Sequence, residues 1–217
     1  MTSGSWPVPF LIDPQHLAVD AVVSFCVSVL LAVNINAEAQ AFAATFLGDA
    51  RVNPKDRFHF NAFLHLSILG TICYLVGGFG WPRMIDLDPG KFRHPRVYTV
   101  LSRFAGPLAN LLLAGIAGSI VTIMNSFGWN PRVFLMVVGV NVTTAVYNLI
   151  ILPPLGAGVL VQEMIPPGYA TLRRTFWQAG PFLILALALL ERLSPHGIVG
   201  PYLNPLIVAI FNFIQGL

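Results

Sequence analysis

Six apolar stretches take up most of this 217-residue chain: Leu17–Leu47, Asn61–Phe79, Val97–Met124, Val133–Leu152, Phe176–Leu190 and Ile198–Ile214. A helix needs about 20 predominantly apolar residues to cross roughly 30 Å of hydrocarbon. Only 10% of the residues are charged, against about 25% in an ordinary soluble domain. The pattern predicts an all-α, polytopic membrane protein with one transmembrane domain over residues 1–217. The last two stretches are short, so one of them is expected to lie shallow or tilted. Residues 1–9 carry no basic n-region, and no small-residue cleavage site precedes Leu17, so a cleaved signal peptide is not expected. Cys26 and Cys73 both sit inside apolar runs. They read as small core residues rather than as a disulfide framework or a metal motif. No phosphate loop, nucleic-acid motif or internal repeat is present.

Within this frame the chemistry-bearing residues fall into a few segments. Residues 36–40 read Asn-Ala-Glu-Ala-Gln, and Leu47-Gly48-Asp49 follows. A basic loop then leads to Asn61 and His65. Further on come Ala105-Gly106-Pro107-Leu108-Ala109-Asn110 and a run from Asn148 through Pro153-Pro154-Leu155-Gly156-Ala157-Gly158. In this order the segments resemble the site-2 protease family of intramembrane zinc metalloproteases. The resemblance covers roughly residues 17–160. Residues 161–217 share only the family's hydropathy and are expected to be C-terminal membrane helices.

The resemblance implies a site-2-protease-like transmembrane core. Active members carry His-Glu-x-x-His, because a helix sets two imidazoles at i and i+4 on one face with the glutamate beside them as general base. Their third ligand is an aspartate. Carried over position by position, the first histidine falls on Asn36, the glutamate on Ala37, the second histidine on Gln40 and the aspartate on Gly156. Zinc wants three or four nitrogen, sulfur or carboxylate donors, and these four vestigial positions offer none. No metal and no cofactor are expected there. One alternative remains open: Glu38 lies one residue from the glutamate position, and His59 and His65 could join it in a rebuilt site. His59 and His65 otherwise read as interfacial or core residues, and His16, His94 and His196 as headgroup-level residues.

A composite site built from residues 36–40 and 156 needs both at one membrane depth. The first and fourth stretches must then run the same way, with Val97–Met124 as the return crossing. The segment near 61–80 cannot be a net crossing; it is expected to dip in and come back around Gly77-Gly78. That arrangement gives about five net crossings plus one re-entrant segment. Arg51, Lys55, Arg57, Arg83, Lys91, Arg93, Arg96, Arg103, Arg173 and Arg174 then lie inside, with Arg132 and Arg192 outside. Ten of the twelve Lys and Arg on one side obey the positive-inside rule. The N-terminus is expected outside and the C-terminus inside, in a bacterial inner (cytoplasmic) membrane. Trp81, Trp129 and Trp177 read as interface anchors, and the Lys91–Arg96 cluster as surface charge that can attract anionic lipid.

Four polar residues, Asn34, Asn36, Glu38 and Gln40, crowd one helical stretch. On a period of 3.6, Asn34 and Glu38 share one face, and Asn36 and Gln40 share nearly the opposite one. Asn141 and Asn148, seven apart on the fourth stretch, are expected with Thr144 as partners of Asn36 and Gln40. Asn36, Glu38, Gln40, Asn141 and Asn148 form the candidate polar binding cluster. Glu38 is expected either to meet Arg51 or Arg103 at the inner interface or to face the cleft. Asn110 reads as scaffold that satisfies backbone groups freed by Pro107.

The resulting expectation is a catalytically inactive relative that binds a transmembrane or extended peptide, as regulator or accessory subunit of a membrane complex. The alternatives are an active metalloprotease with a rebuilt metal site, and a small-ligand binder or transporter using the vacated cleft.

Overall fold

The computed structural model describes residues 18–50, 58–194 and 197–216, apart from the side chain of Pro167. Arg51, Lys55, Arg57, His16 and His196 lie outside the described residues. Among the described residues there are seven α-helices: α1 (Val19–Phe46), α2 (Ile68–Gly77), α3 (Pro95–Ser126), α4 (Arg132–Tyr147), α5 (Gly156–Met164), α6 (Ala170–Leu193) and α7 (Gly200–Gln215). The all-helical expectation holds. Three helices, α1, α3 and α6, are long and apolar enough to cross a membrane by length and composition. The fold is that of an integral, multi-pass membrane protein.

The centre of the molecule is α3 packed against α1 on one side and α4 on the other, with α1 and α4 also in contact. Small residues make this close approach possible. Ala32, Ala37, Ala41 and Ala44 of α1 have no exposed surface at all. Gly106 of α3 has Asn36 and Gln40 directly against it; a Cβ there would lie 2.7 Å from Asn36 Cγ and 2.9 Å from Gln40 Nε2. Asp20 near the start of α1 pairs with Arg132 at the start of α4, so these two helices begin at the same end of the bundle and run the same way. A second layer packs α7 on α4 and α3, and α6 on α2. There Phe79 stacks on Tyr147 at 3.9 Å between ring centroids, in a cluster with Ile184 and Ile207.

The segment between α1 and α3 is compact. One 3-10 turn over Ala62–His65 leads into α2, whose ten residues span only about 15 Å. Gly78, at φ 73°, ends α2 in the left-handed conformation that glycine adopts without strain. The chain then doubles back until Pro82 pairs with Leu66 in an antiparallel bridge, with Arg83 N–H donating to His65 C=O at 2.6 Å. Its outgoing end is thus level with its incoming end.

Several local expectations need correction. Of the two short last stretches, Phe176–Leu190 sits inside the 24-residue α6, which recruits Arg173 and Arg174 into its first turns, so the 16-residue α7 is the one left short. The fourth apolar stretch loses its helix early. α4 stops at Tyr147, because Asn148 takes the helix-end position and two prolines follow at 153 and 154. Trp81 is 4% exposed and packs behind Gly70, so it is core rather than interface anchor. Cys73 is buried as expected, but Cys26 is exposed on the outer face of α1.

Candidate functional site

Opposite faces of one helical turn of α1 carry two separate polar systems. Asn36 and Gln40, four residues apart, stack on the face that meets α3. Gln40 Nε2 donates to Asn36 Oδ1 at 2.7 Å, and Asn36 Nδ2 donates to Asn110 Oδ1 at 2.6 Å. Asn110 Nδ2 in turn donates to Asn141 Oδ1 at 2.8 Å and to the Ala32 carbonyl at 3.0 Å. Asn141 Nδ2 closes the run on the Val137 carbonyl at 2.9 Å. At the other end Arg103 Nη1 donates to Gln40 Oε1 at 2.8 Å, and its Nη2 to the Ile85 carbonyl at 2.8 Å.

All five side chains are buried. Each amide accepts from the side of the guanidinium and donates away from it, so the dipoles of four amides align with one buried positive charge. Aligned bonds in a low-dielectric interior strengthen one another. Any bond removed leaves buried groups without partners.

Glu38 points the other way, toward the folded-back segment. Its Oε1 accepts from the His59 backbone N–H at 2.8 Å and lies 2.9 Å from His65 Nε2. His65 Nε2 is also 3.0 Å from the His59 carbonyl. Glu38 is 5% and His65 6% exposed, and Glu38 Oε2 is buried without a hydrogen-bond partner. Of the alternatives for Glu38, its described bonds go to His59 and His65, while Arg103 donates to Gln40 on the opposite face of α1. Arg51, the other expected partner, lies outside the described residues.

The fourth stretch contributes differently from expectation. Of the residues expected beside Asn36 and Gln40, Asn141 joins the amide run through Asn110. Asn148 bonds the Thr144 carbonyl at 2.8 Å and accepts from the Gly156 N–H at 3.1 Å, which caps the start of α5. Thr144 accepts or donates with the Tyr74 hydroxyl at 2.9 Å and so ties α4 to α2. Gly156 is buried, and a Cβ there would rest on the Phe104 ring at 3.5 Å. α3 therefore borders both sets of residues onto which the resemblance maps metal ligands, with Arg103 against one and Phe104 against the other.

Sequence reasoning missed the roles of Arg103 and Asn110. Arg103 was one of many basic residues near a loop. Asn110 sits three residues after Pro107, yet its amide bridges three helices instead of serving its own backbone.

The residues onto which the resemblance maps metal ligands do not fit a metal. Asn36 Oδ1 and Gln40 Oε1 each already accept a hydrogen bond, and a guanidinium occupies the space beside Gln40. Ala37 and Gly156 bring no donor side chain. Among the described residues no group of three or more His, Cys, Asp or Glu side chains is arranged to hold a metal ion.

Comparison with curated proteins gives one relevant relative. The chain is 29% identical over 198 residues to the Bacillus subtilis (strain 168) protein named "Putative zinc metalloprotease YwhC", covering 87% of this chain and 86% of that protein. The two are distant homologues. No protein-family model matches the chain, and no solved structure does. The homology spans both the segments that hold the polar systems and the helices around them.

Proposed function

We propose that this chain is a catalytically inactive, site-2-protease-like membrane protein that binds an extended or transmembrane peptide of a partner protein without cutting it. It acts on this reading as a regulator or accessory subunit of a membrane complex. The observation that carries the proposal is the closed run from Arg103 through Gln40, Asn36 and Asn110 to Asn141. A hydrolytic site needs open coordination positions and a water; here the corresponding groups satisfy one another.

The binding half of the proposal rests on the segment after Pro82. Residues 83–87 have no regular secondary structure and are exposed or half-buried, with Arg103 holding the Ile85 carbonyl beside Gln40. Among the described residues the only strand-like pairing in this region is the single Leu66–Pro82 bridge. A partly exposed segment outside any helix can accept a peptide by strand addition, with backbone hydrogen bonds giving affinity.

The topology that accompanies this function has the N-terminus outside, the C-terminus inside and α2 as a re-entrant helix, in a bacterial inner membrane. The ten-residue length of α2 and its return to Leu66 favour that reading.

Purification in mild detergent from the source membrane, with metal analysis and mass spectrometry of co-purifying proteins, tests the proposal. The expected result is far less than one zinc per chain and a reproducible membrane-protein partner. Recovery of monomer alone at native expression level would count against the binding role. Stoichiometric zinc would overturn the proposal in favour of a rebuilt site, for which the Glu38–His65 pair supplies two side-chain donors, His59 meeting Glu38 through its backbone N–H.

A further inference from the structure

The outer face of α3 carries a second candidate site, independent of the polar systems above. We infer that it is a binding groove for one anionic phospholipid, with the headgroup at the start of α3 and an acyl chain along the helix.

Three depressions join end to end here. The first, about 330 Å³, is lined by Arg93, His94 and Arg96, all exposed. It shares Arg96 and Val97 with the second, about 360 Å³, where Leu160 and Met164 of α5 form the facing wall. The second shares Leu101 with the third, about 470 Å³, which runs on past Phe104 and Leu108 to Leu111 and is closed by Leu206 and Ile210 of α7. Sharing these lining residues along α3, the three depressions together outline a groove with a cationic end and an apolar body.

Size and charge select the occupant. From Arg96 to Leu111 the helix rises about 22 Å. Half of a bilayer, headgroup region included, is also about 20–22 Å. A partner transmembrane helix would need an apolar seam of about 30 Å or more, and this groove ends at the middle of α3. A lipid of one leaflet matches both its length and its polarity. The two arginines and the histidine favour an anionic headgroup over a zwitterionic one. Glu163 also lines the middle section, but its carboxylate already accepts from Arg173 at 3.0 Å, so it offsets little of the positive charge. Tethered lipid here would fill the space beside Phe104 and hold α3, α5 and α7 in register.

Native mass spectrometry of the purified full chain tests the inference, with phosphatidylglycerol and phosphatidylcholine of equal chain length as probes. One phosphatidylglycerol is expected to be retained in preference to phosphatidylcholine. The double variant Arg93→Gln/Arg96→Gln is expected to weaken retention about thirtyfold, as two surface cations near an anionic lipid predict. Leu108→Trp, which fills the apolar body and leaves the arginines intact, is expected to abolish retention of the lipid. Glycerol phosphate, the headgroup without chains, is expected not to bind measurably. Equal retention of the two lipids, unchanged retention in either variant, or binding of glycerol phosphate as tight as the lipid would overturn the assignment. Circular dichroism of each variant separates loss of the site from loss of the fold.

Discussion

The two faces of α1 at residues 36–40 differ in one respect that governs the rest. On the α3 face, Asn36 and Gln40 sit in a run in which each amide both accepts and donates, anchored by Arg103. On the opposite face, Glu38 holds the folded-back segment through one carboxylate oxygen while the other is buried and unpartnered. The first face is closed: adding a ligand there means breaking bonds already made. The second is incomplete, and its partners belong to a short turn and a loop, not to a long helix. Closure reads as architecture, whereas the open carboxylate is where chemistry or a partner could still enter.

The largest effect is expected at Asn110, because it joins three helices. Asn110→Ala removes the partner of Asn36 Nδ2, Asn141 Oδ1 and the Ala32 carbonyl at once. Stranded buried polar groups cost about 1–3 kcal/mol each, although single interhelical bonds in membranes average only about 0.6 kcal/mol. A loss of about 2–4 kcal/mol is expected in a denaturant titration in detergent. A loss no larger than that of an exposed polar substitution would mean that the run is not a structural unit.

Arg103 comes next, and it sharpens the claim of closure. Arg103→Met leaves Gln40 Oε1 and the Ile85 carbonyl without their donor, with an expected cost of about 2 kcal/mol. Hydrogen exchange is expected to rise in residues 83–87, which the guanidinium ties down. The same residue bears on the metal. A graft of Asn36→His, Ala37→Glu, Gln40→His and Gly156→Asp supplies the donor types that zinc takes, yet leaves a buried cation beside them. Zinc uptake by the graft is expected only when Arg103→Met is added, read by metal analysis of the two purified variants. Equal zinc in both would show that Arg103 does not block the position.

Much of this arrangement was legible in the sequence, because helical period and apolar runs are local signals. The 3.6-residue spacing already put Asn36 with Gln40 and Glu38 on the far side. The dip expected around Gly77-Gly78 came instead from the resemblance, which puts residues 36–40 and 156 at one depth, and from the charge bias. Which partner each face meets was not legible. It depends on the rotation and stagger of α3 against α1, which packing of Gly106 on Asn36 and Gln40 sets. No property of residues near 103 or 110 distinguishes a buried donor from a surface charge or a proline companion. Trp81 was misread for a related reason: its burial follows from the fold-back that brings it behind Gly70, a non-local event.

The smallest effect separates the two faces most cleanly. Glu38→Gln keeps an oxygen that can accept from the His59 N–H and from His65, and it removes the carboxyl group. If Glu38 only pins the folded-back segment, Glu38→Gln costs less than about 1 kcal/mol, the scale of one net hydrogen bond. Glu38→Ala then costs more, because the His59 amide and the His65 ring lose their acceptor together. Partner recovery in native detergent is the second readout. A Glu38→Gln variant that stays folded but no longer co-purifies with its partner assigns the carboxyl group itself to binding. Full recovery of the partner removes Glu38 from the binding site and leaves the segment at residues 83–87 to account for it.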